Sequence, residues 1–409
     1  MHISTHLPHS VPIADSADEA FRQAFPLLDG RRLLMFVNVG WFFLSHRLPV
    51  AMAARRAGMD VHVAADVEQP AESCAMAAAG LTFHRIRLAR SGLSPLTDAA
   101  TVFGMAQVCA RLRPDVVHNV TSKPVMYGSF VAKAFRVQGI VNAVSGFGYA
   151  YGSGSGRRPL AVMMDRAYRL AFSGERVRVI VQNDEDAAEV TRICPAAASR
   201  ITLIRGSGVN LAEFHTSPEP VGTVVVVLPA RMLRDKGILE FCEAAVMLRR
   251  KGVDARFVLA GRVDRSNRSA LTDSELGELS RTTGVQWLGD CRDVPALLRD
   301  SHIVCLPTYY REGVPKALLE ACASQRPIVT TDVPGCRDVV AEGVNGFLVP
   351  PRDAMTLAAA LRRLIENPQL RSQMGRAGRA LAEREFDARQ VATRHLQVYQ
   401  SLLRQRSAG

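Results

Sequence analysis

Two glutamates separated by a short loop and the start of a helix are the most distinctive chemical feature of the chain. Glu312 follows the apolar run His302–Leu306, and Glu320 comes eight positions later. Pro315 is well placed to begin a helix between them, which puts Glu320 about a turn and a half into that helix. Carboxylates at this spacing can hold two hydroxyl-rich groups, although a pair of solvated surface glutamates is the alternative.

The segment between these glutamates predicts an anion site. It consists of Gly313, Val314, Pro315 and Lys316, in which the glycine frees the backbone and the proline suits a helix start. The amides of an exposed helix N-terminus point at a bound anion, and the helix dipole favours negative charge there. The two glutamates would then lie on either side of that anion.

A basic pair follows an earlier apolar run. Arg231 and Lys236 both lie in the loop after Thr223–Leu228. Arginine offers a planar fork of donors and lysine a compact charge, and together they can neutralise a diphosphate. A solvated basic loop is the alternative.

The first half of the chain carries a weaker signal. Gly40 follows the apolar run Leu33–Val39 and permits close approach of a ligand to the backbone. Ser45 is a plausible helix N-cap with Pro49 early in the same helix, so the amides there predict a second anion site. The G-x-G-x-x-G pattern of dinucleotide-binding dehydrogenases is absent from this segment.

The elements that must position these residues are short apolar runs rich in β-branched residues, separated by segments of helix length. They lie at 33–39, 60–65, 82–87, 115–118, 140–144, 177–182 and 201–205, and again at 223–228, 255–260, 285–288, 302–306, 327–331 and 346–349. Uninterrupted apolar strands that alternate with helices indicate parallel sheets covered on both faces. The fold class is therefore α/β, with two doubly wound sheets that bind ligands at the carboxyl ends of their strands.

The two series of strands are separated by a Pro-rich polar stretch at 216–220. We place a poorly ordered extension at 1–30, one Rossmann-like domain at 31–216, a second at 217–385 and a C-terminal segment at 386–409. A length of 409 residues with 48% apolar residues supplies two cores and excludes a disordered or collagen-like chain. The eight cysteines form no C-x-x-C pair and are interpreted as reduced core thiols.

The net charge of +12 lies mainly in residues 31–215, with 22 basic and 13 acidic residues, and in residues 366–409, with 8 and 4. Such a surface suits anionic lipid headgroups, a diphosphate substrate or nucleic acid. Nucleic-acid binding is disfavoured, because the arginines are spread out and aromatic residues make up 6% of the chain. The apolar and basic segment 157–172 predicts either a helix on a membrane surface or one packed on its own sheet.

Together these motifs resemble family 4 of the retaining GT-B glycosyltransferases. Glu312 and Glu320 match the paired glutamates of that family, E-x7-E, and Arg231 and Lys236 match its basic pair. The turns at 206–210 and 343–347 and the run at 330–338 also fit family patterns. The resemblance covers nearly the whole chain from about residue 33. It implies two Rossmann-like domains facing across a cleft, with the acceptor on the N-terminal one, the donor mainly on the C-terminal one, and the C-terminal helix packing back on the first.

The resemblance implies a role for each donor-site residue. Glu320 would hold the ribose hydroxyls and Glu312 the sugar hydroxyls, with the amides of Gly313–Lys316 positioning sugar and phosphate. Arg231 and Lys236 would stabilise the leaving diphosphate, as a metal does in other transferases. The enzyme would retain anomeric configuration and need no metal and no cofactor besides its nucleotide-sugar substrate.

Two smaller features bear on the same site. Gly40 is assigned to donor binding. The acidic run at 184–186, the D-x-D of this sequence, is interpreted as the first turn of a helix rather than as a metal site.

The acceptor side rests on four residues. His118 stands in the place of a family histidine near the donor sugar and is predicted to be catalytic, with a structural histidine as the alternative. His46 and Ser145 are predicted acceptor contacts, Ser145 standing where the family often has a second histidine. Lys123 is a candidate contact to an acceptor phosphate, with a solvated lysine as the alternative.

Within the family, the runs at 46–49 and 309–316 look most like the branch that builds bacterial capsule, O-antigen and N-linked glycans on polyprenyl-diphosphate carriers. This implies a UDP-sugar donor carrying a hexose or N-acetylhexosamine and a saccharide acceptor linked to polyprenyl diphosphate. The protein would then be cytoplasmic and peripherally bound to the anionic inner face of the cell membrane. A GT-B epimerase acting on the same UDP-sugars is the alternative.

Overall fold

The computed structural model describes residues 15–88, 94–147, 158–310 and 313–404. These residues divide into two compact units, the first comprising those in 15–145, 158–204 and 392–404 and the second those in 146–147 and 205–391. The division falls after Ile204, whereas the sequence analysis places the boundary after Thr216. The reason lies at Val209, whose N–H donates to the carbonyl of Phe386 at 2.8 Å and whose carbonyl accepts from Ala388 at 3.0 Å, within the second unit.

The first unit is built on a parallel sheet. Its described strands are β1 (Arg32–Val39), β2 (Asp60–Asp66), β3 (Thr82–Arg85), β4 (Val116–Val120), β5 (Gly139–Ala143), β6 (Val177–Val181) and β7 (Ile201–Leu203). They lie in the order β3-β2-β1-β4-β5-β6-β7. Every residue of β4 and β5 is buried, as expected for central strands covered on both faces.

Helices cover both faces of this sheet. They are α1 (Asp15–Ala24), α2 (Gly40–His46), α3 (Leu48–Arg56), α4 (Pro70–Ala78), α5 (Pro95–Leu112), α6 (Ser122–Ala134), α7 (Arg158–Phe172) and α8 (Asp184–Ile193), with a 3₁₀ turn at Pro195–Arg200. The chain moves outward from β1 in opposite directions along the sheet. Right-handed crossovers therefore place α3 and α4 on one face and α5 to α8 on the other.

The structure corrects the expectation of a poorly ordered extension for residues 15–30. Residues 15–24 form α1, and both Phe25 and Leu28 are buried. Arg56 of α3 holds this segment, since its Nε is 2.9 Å from Asp18 and its guanidinium lies 5.0 Å from the centre of the Phe21 ring. Apolar residues spaced along this short polar segment therefore allow it to pack against α3. Residues 1–14 lie outside the described residues.

The second unit repeats the doubly wound pattern. Its described strands are β8 (Val224–Pro229), β9 (Ala255–Ala260), β10 (Gln286–Trp287), β11 (Ile303–Leu306), β12 (Ile328–Thr331) and β13 (Gly346–Val349), in the order β10-β9-β8-β11-β12-β13. All pairings are parallel. This is the Rossmann strand order, so the predicted pair of doubly wound sheets is confirmed.

The helices of the second unit follow the same alternation. They are α9 (Ile238–Arg250), α10 (Asp273–Thr283), α11 (Val294–Arg299), α12 (Lys316–Ala323), α13 (Ala354–Ile365), α14 (Pro368–Leu381) and α15 (Ala388–Arg404), with a 3₁₀ turn at Arg234–Lys236 and a π turn at Ala382–Phe386. From Ala392 onward, α15 groups with the first unit. Across the described residues, none of the helices combines the length and the apolar character needed to traverse a bilayer.

The loops at the carboxyl ends of β8, β9 and β11 are fastened to one another by backbone hydrogen bonds. The carbonyl of Asp235 accepts from the N–H of Tyr309 and from Oγ1 of Thr308, each at 3.0 Å. The N–H of Met232 donates to the carbonyl of Arg262, also at 3.0 Å. Each loop satisfies backbone polar groups of its neighbour. The backbone positions from which their side chains project are therefore fixed.

Gly237 allows the first of these loops to approach the third. Its φ is +76°, and a Cβ built on it would lie 2.2 Å from the carbonyl oxygen of Pro307. We expect Gly237→Ala to lower the free energy of unfolding by about 2 kcal/mol or more, because the left-handed conformation alone costs a non-glycine residue roughly 1–2 kcal/mol and Pro307 must also move. Urea denaturation measures this loss.

The matched control is Gly252→Ala. Gly252 has a φ of +74° but no atom within 4 Å of the position of its Cβ, so only the conformational cost applies. Equal losses for the two variants would show that contact with Pro307 contributes nothing.

Candidate active site

The switch point of the second sheet lies between β8 and β11. The chain leaves β8 toward β9 on one side and leaves β11 toward β12 on the other. Loops that diverge in this way open a crevice at the carboxyl edge of the sheet. Arg231 and Lys236 lie in the loop after β8, and Lys316 and Glu320 lie on α12 after β11. The structure therefore brings these four predicted residues to one edge of one sheet.

Arg231 is held by a carboxylate that the sequence analysis did not identify. Its Nη1 lies 2.6 Å from Oδ2 of Asp264, whose side chain is almost fully buried. Oγ of Ser266 donates to the other carboxylate oxygen at 2.8 Å. A buried, hydrogen-bonded carboxylate fixes the plane of the guanidinium, so Asp264 is a positioning residue for Arg231.

Lys236 ends the 3₁₀ turn Arg234–Lys236 and is buried. Its N–H donates to the carbonyl of Leu233 at 3.0 Å, and Gly237 follows it in the left-handed conformation. A cation that is largely removed from water acts on a nearby anion more strongly than an exposed one. Lys236 therefore carries its charge in a position that is largely shielded from water.

Glu320 is a buried carboxylate on α12. Its Oε1 lies 3.3 Å from Nζ of Lys316, one helical turn earlier. Burial raises the pKa of Glu320 above its ordinary value, while Lys316 acts in the opposite direction. The Glu320 carboxylate is therefore poorly solvated. Hydroxyl groups of a ligand would donate the hydrogen bonds that water does not supply there.

The turn before α12 holds the residues of the predicted anion site, which stays a prediction. Pro315 is the N-cap residue of α12, Val314 is buried, and Gly313 precedes them. Gly206, with a φ of +70°, packs so closely that a Cβ on it would lie 2.8 Å from Leu319. Glu312, predicted to contact the donor sugar, lies outside the described residues.

Gly40 and Ser45 differ from their predicted settings in the first unit. The helix α2 begins at Gly40 itself, and a Cβ there would lie 2.4 Å from Oε2 of Glu72. The prediction that Ser45 is an N-cap is wrong, because Ser45 lies inside α2 and the N-cap residue is Val39. Pro49 does occupy the first turn of the following helix, α3.

Arg47 and the predicted His118 lie in a buried polar network, and the sequence analysis did not identify Arg47, Tyr399 or His395 as its members. Arg47 is 2% exposed, and its Nη2 is 3.4 Å from Oγ of Ser145. His118, on β4, has no exposed surface, and its Nδ1 is 2.6 Å from the hydroxyl of Tyr399 on α15. The imidazole of His395 lies 5.7 Å from that of His118. The network ties the α2–α3 corner to the C-terminal helix within the first unit.

The charges of this network are set by burial. Burial lowers the pKa of Arg47 to about 10, and nearby Tyr399 acts to raise it. Burial, together with His395 and Arg47, holds the pKa of His118 well below its usual range, whereas burial raises the pKa of Tyr399. His118 and Tyr399 are therefore both neutral at physiological pH, and Arg47 carries the positive charge.

The other predicted acceptor residues are also in the first unit. The ring of His46 stacks on Phe42, with centroids 4.2 Å apart. Lys123 forms a 2.8 Å ion pair with Asp98, and both side chains are mostly buried. Ser145 follows β5 and contacts Arg47, as described above. His46 follows β1 and Ser145 follows β5, two strands that are separated by β4, and Lys123 is paired with Asp98.

The acidic run at 184–186 is the first turn of α8, as predicted. Asn183 is the N-cap residue, and its side chain accepts a hydrogen bond from the N–H of Asp186 at 2.7 Å. Acidic side chains stabilise this end of a helix. This run is therefore accounted for as helix capping.

A signal for Asp264 was present in the sequence, since it follows strand β9 at the same edge as Arg231. The position of a carboxylate just after a buried strand could have suggested the pairing. Arg47 gave no comparable signal, because an arginine after a histidine in a polar corner is normally solvated.

Comparison with known proteins gives a glycosyltransferase match for each of the two units. Residues 32–183 match the family model described as "Glycosyl transferase 4-like", and residues 212–381 match that described as "Glycosyl transferases group 1". Each match falls largely within one of the two units, and together they account for most of the chain. The chain belongs to the family 4 GT-B glycosyltransferases.

Relatives of this glycosyltransferase include an N,N'-diacetylbacillosaminyl-diphospho-undecaprenol alpha-1,3-N-acetylgalactosaminyltransferase from Campylobacter jejuni. It is 26% identical over 88% of this chain and 98% of its own length. A putative glycosyltransferase, EpsD, from Bacillus subtilis is 24% identical over 88% of this chain and 94% of its own.

The fold of this glycosyltransferase is shared with the crystal structure of Anabaena HepE in complex with UDP and glucose. The TM-score is 0.73 at 17% identity, covering 91% of this chain and 100% of HepE. At this identity the likeness shows the fold, which is GT-B.

The raised pKa of Glu320 predicts a stability effect with a definite sign. A carboxyl whose folded-state pKa is raised favours folding while protonated, and that stability is lost as pH rises through the folded-state pKa. Glu320→Gln, which stays neutral, should therefore be more stable than the wild type at pH 7 by about 1 kcal/mol, a usual scale for relieving a functional-site cost. The difference should vanish toward pH 4, as measured by thermal unfolding.

The control is Glu366→Gln, at an exposed glutamate of the second unit. It should show no such gain at pH 7. A Glu320→Gln variant less stable than the wild type at neutral pH would contradict the assigned burial cost.

Proposed function

We propose that this glycosyltransferase moves a hexose or N-acetylhexosamine from a UDP-sugar to a saccharide carried on polyprenyl diphosphate. The observation that carries the proposal is the convergence of Arg231, Lys236, Lys316 and Glu320 on the switch point of the second sheet. Cations and a helix N-terminus suit a diphosphate, and a buried carboxylate suits ribose hydroxyls.

Two comparisons support the choice of substrates. HepE, which shares the fold, was crystallised with UDP, and this supports a uridine nucleotide as donor. The C. jejuni relative is named for a diphospho-undecaprenol substrate, and this supports a polyprenyl-diphosphate acceptor.

In the proposed reaction, the bond between the donor's anomeric carbon and the diphosphate oxygen breaks as an acceptor hydroxyl attacks the same face. The configuration is retained, and the acceptor proton passes to an oxygen of the leaving phosphate. Arg231, held by Asp264, and the buried Lys236 offset the negative charge that develops on the diphosphate. Because this charge stabilisation comes from side chains and amides, the proposal includes no metal or other cofactor.

On the acceptor side, the proposal keeps His46 and Ser145 as contacts, because both are partly exposed beyond the carboxyl edge of the first sheet. Lys123 is engaged by Asp98, and His118 is enclosed by Tyr399 and its neighbours. We therefore assign Lys123 and His118 to positioning within the first unit instead of contact with substrate.

Product analysis tests the proposed reaction directly. The purified protein is incubated with UDP-hexoses and UDP-N-acetylhexosamines, each alone and with a polyprenyl-diphosphate-linked saccharide, and the products are identified by mass spectrometry and NMR. We expect an acceptor longer by one sugar with the anomeric configuration of the donor, also in the presence of a metal chelator. A free epimerised UDP-sugar without transfer would contradict the proposal and show that the protein is an epimerase. A product with inverted anomeric configuration would refute retention.

Lys236→Ala should depress turnover by about 10²-fold, the scale for removing one preorganised group that stabilises transition-state charge. Binding of UDP should fall less, because Arg231 and the α12 amides remain. Steady-state kinetics and calorimetry measure the two effects. Lys251→Ala, at an exposed lysine that ends α9, is the matched control, and equal turnover of the two variants would remove Lys236 from the mechanism.

A further inference from the structure

The exposed large hydrophobic residues of the first unit are confined to three adjacent helices. Among its described residues they are Leu96 and Phe103 on α5, Phe130 on α6, and Val162, Met163 and Leu170 on α7. A seventh, Phe135, is the residue that ends α6. Single exposed apolar residues are ordinary, but a set gathered on one layer of helices marks an interaction surface. We call this layer the α5–α7 face.

An ion pair joins the first two of these helices. Asp98 of α5 pairs with Lys123 of α6 at 2.8 Å. Phe103 lies five residues after the first partner and Phe130 seven after the second, which is about 7.5 and 10.5 Å along helices that run the same way. The two rings therefore lie at a similar height on neighbouring helices, whose axes lie roughly 8–10 Å apart.

The third helix, α7, is connected to α6 by hydrogen bonds near the ends of both helices. Lys133 of α6 donates to the carbonyl of Leu170 and to Oγ of Ser173, at the end of α7. Phe130 lies one turn before Lys133, so it is level with the stretch of α7 between Met163 and Leu170. Tyr168, Ala171 and Phe172 of α7 are buried against the unit's own core, so the helix packs inward and exposes apolar side chains outward at the same time.

Phe103 and Phe130 dominate the apolar surface. They are 65% and 67% exposed, and Leu170 is 70% exposed. A phenylalanine side chain of this exposure presents on the order of 100 Å² of ring surface to water. The described helices on the other face of the same sheet expose no large hydrophobic residue.

The charge around this face is strongly positive. Residues 94–178 contain eleven arginines and lysines and four acidic residues. Three of the four acids are neutralised by ion pairs, Asp98 with Lys123, Asp115 with Arg31 and Asp165 with Arg192. Arg136, Arg166 and Arg169 are exposed beside the apolar side chains.

We propose that the α5–α7 face is a docking surface for an anionic lipid bilayer. Aromatic and aliphatic side chains enter the boundary between headgroups and acyl chains, while the surrounding arginines contact lipid phosphates. A protein partner of matching shape would need acidic complements to every one of these cations, whereas a bilayer supplies phosphates at any position. The binding of this face to a bilayer does not depend on the proposed function. The statement that docking brings the enzyme to a lipid-linked acceptor does rest on it.

The test is sedimentation of the full chain with vesicles made of equal parts phosphatidylglycerol and phosphatidylcholine. We expect binding to these vesicles, weaker binding to phosphatidylcholine alone, and release by salt. The double variant Phe103→Ser with Phe130→Ser should lower the partition coefficient roughly tenfold or more. Arg136→Gln with Arg166→Gln should reduce binding to the anionic vesicles specifically.

The matched control replaces two exposed hydrophobics of the second unit, Val344→Ser with Met355→Ser, and should bind as the wild type does. Leu170→Ser supplies a further single variant, and circular dichroism verifies that each is folded. Failure of the wild type to bind, or wild-type binding by the phenylalanine variant, would overturn the proposal. A dimer seen by light scattering that the phenylalanine variant abolishes would also overturn it, since the face would then bind a second copy.

Sugar transfer to a detergent-dissolved acceptor separates this proposal from the proposed function. The vesicle-binding variants should transfer as fast as the wild type in detergent. Loss of vesicle binding with unchanged transfer supports the docking surface. Absence of transfer by every form, with vesicle binding intact, would refute the proposed reaction and leave the docking surface standing.

Discussion

The carbonyl of Asp235 joins the two loops next to which the proposed donor-site residues of the second unit lie. It accepts hydrogen bonds from the backbone N–H of Tyr309 and the hydroxyl of Thr308, so the loops after β8 and β11 are fastened to each other. Lys236 follows Asp235 directly, and α12 begins a few residues after Tyr309. Charged groups that must act on a short-lived transition state work best when their positions are settled in advance. Here backbone hydrogen bonds fix the positions of these loops in the absence of a ligand.

The same region shows why burial and charge must be considered together. Glu320 and Lys236 are both buried, and each would be unfavourable in an apolar core. The positive charge of Lys316 partly offsets the negative charge of Glu320, and the carboxylate of Asp264 offsets the positive charge of the neighbouring Arg231. The unit therefore accepts a cost in stability at its carboxyl edge, which is the usual relation between a binding site and the fold that carries it. The diphosphate and ribose of the proposed nucleotide-sugar donor would offer the complementary groups.

The first unit handles its buried charge in a different way. Arg47 lies under the α2–α3 corner with hydroxyl, carbonyl and imidazole neighbours and with a depressed pKa. Its connection to Tyr399 and His118 runs through the part of α15 that groups with this unit. The opposite layer of the sheet, α5 to α7, turns phenylalanines outward instead. One face of the sheet is thus closed by the C-terminal helix, and the other is available to a partner.

The sequence alone determined the two series of parallel strands, the loop that carries Arg231 and Lys236, and the helix that carries Glu320. Both follow from local rules, since apolar runs buried on two faces form parallel strands and ligand groups follow their carboxyl ends. Only the tertiary structure decided that Asp264 holds Arg231, that Ser45 lies inside a helix, and that Arg47 is buried. It also decided which apolar residues of α5 to α7 stay exposed, because a hydrophobic pattern specifies the apolar residues but not the neighbours that cover them. Those neighbours come from segments distant along the chain.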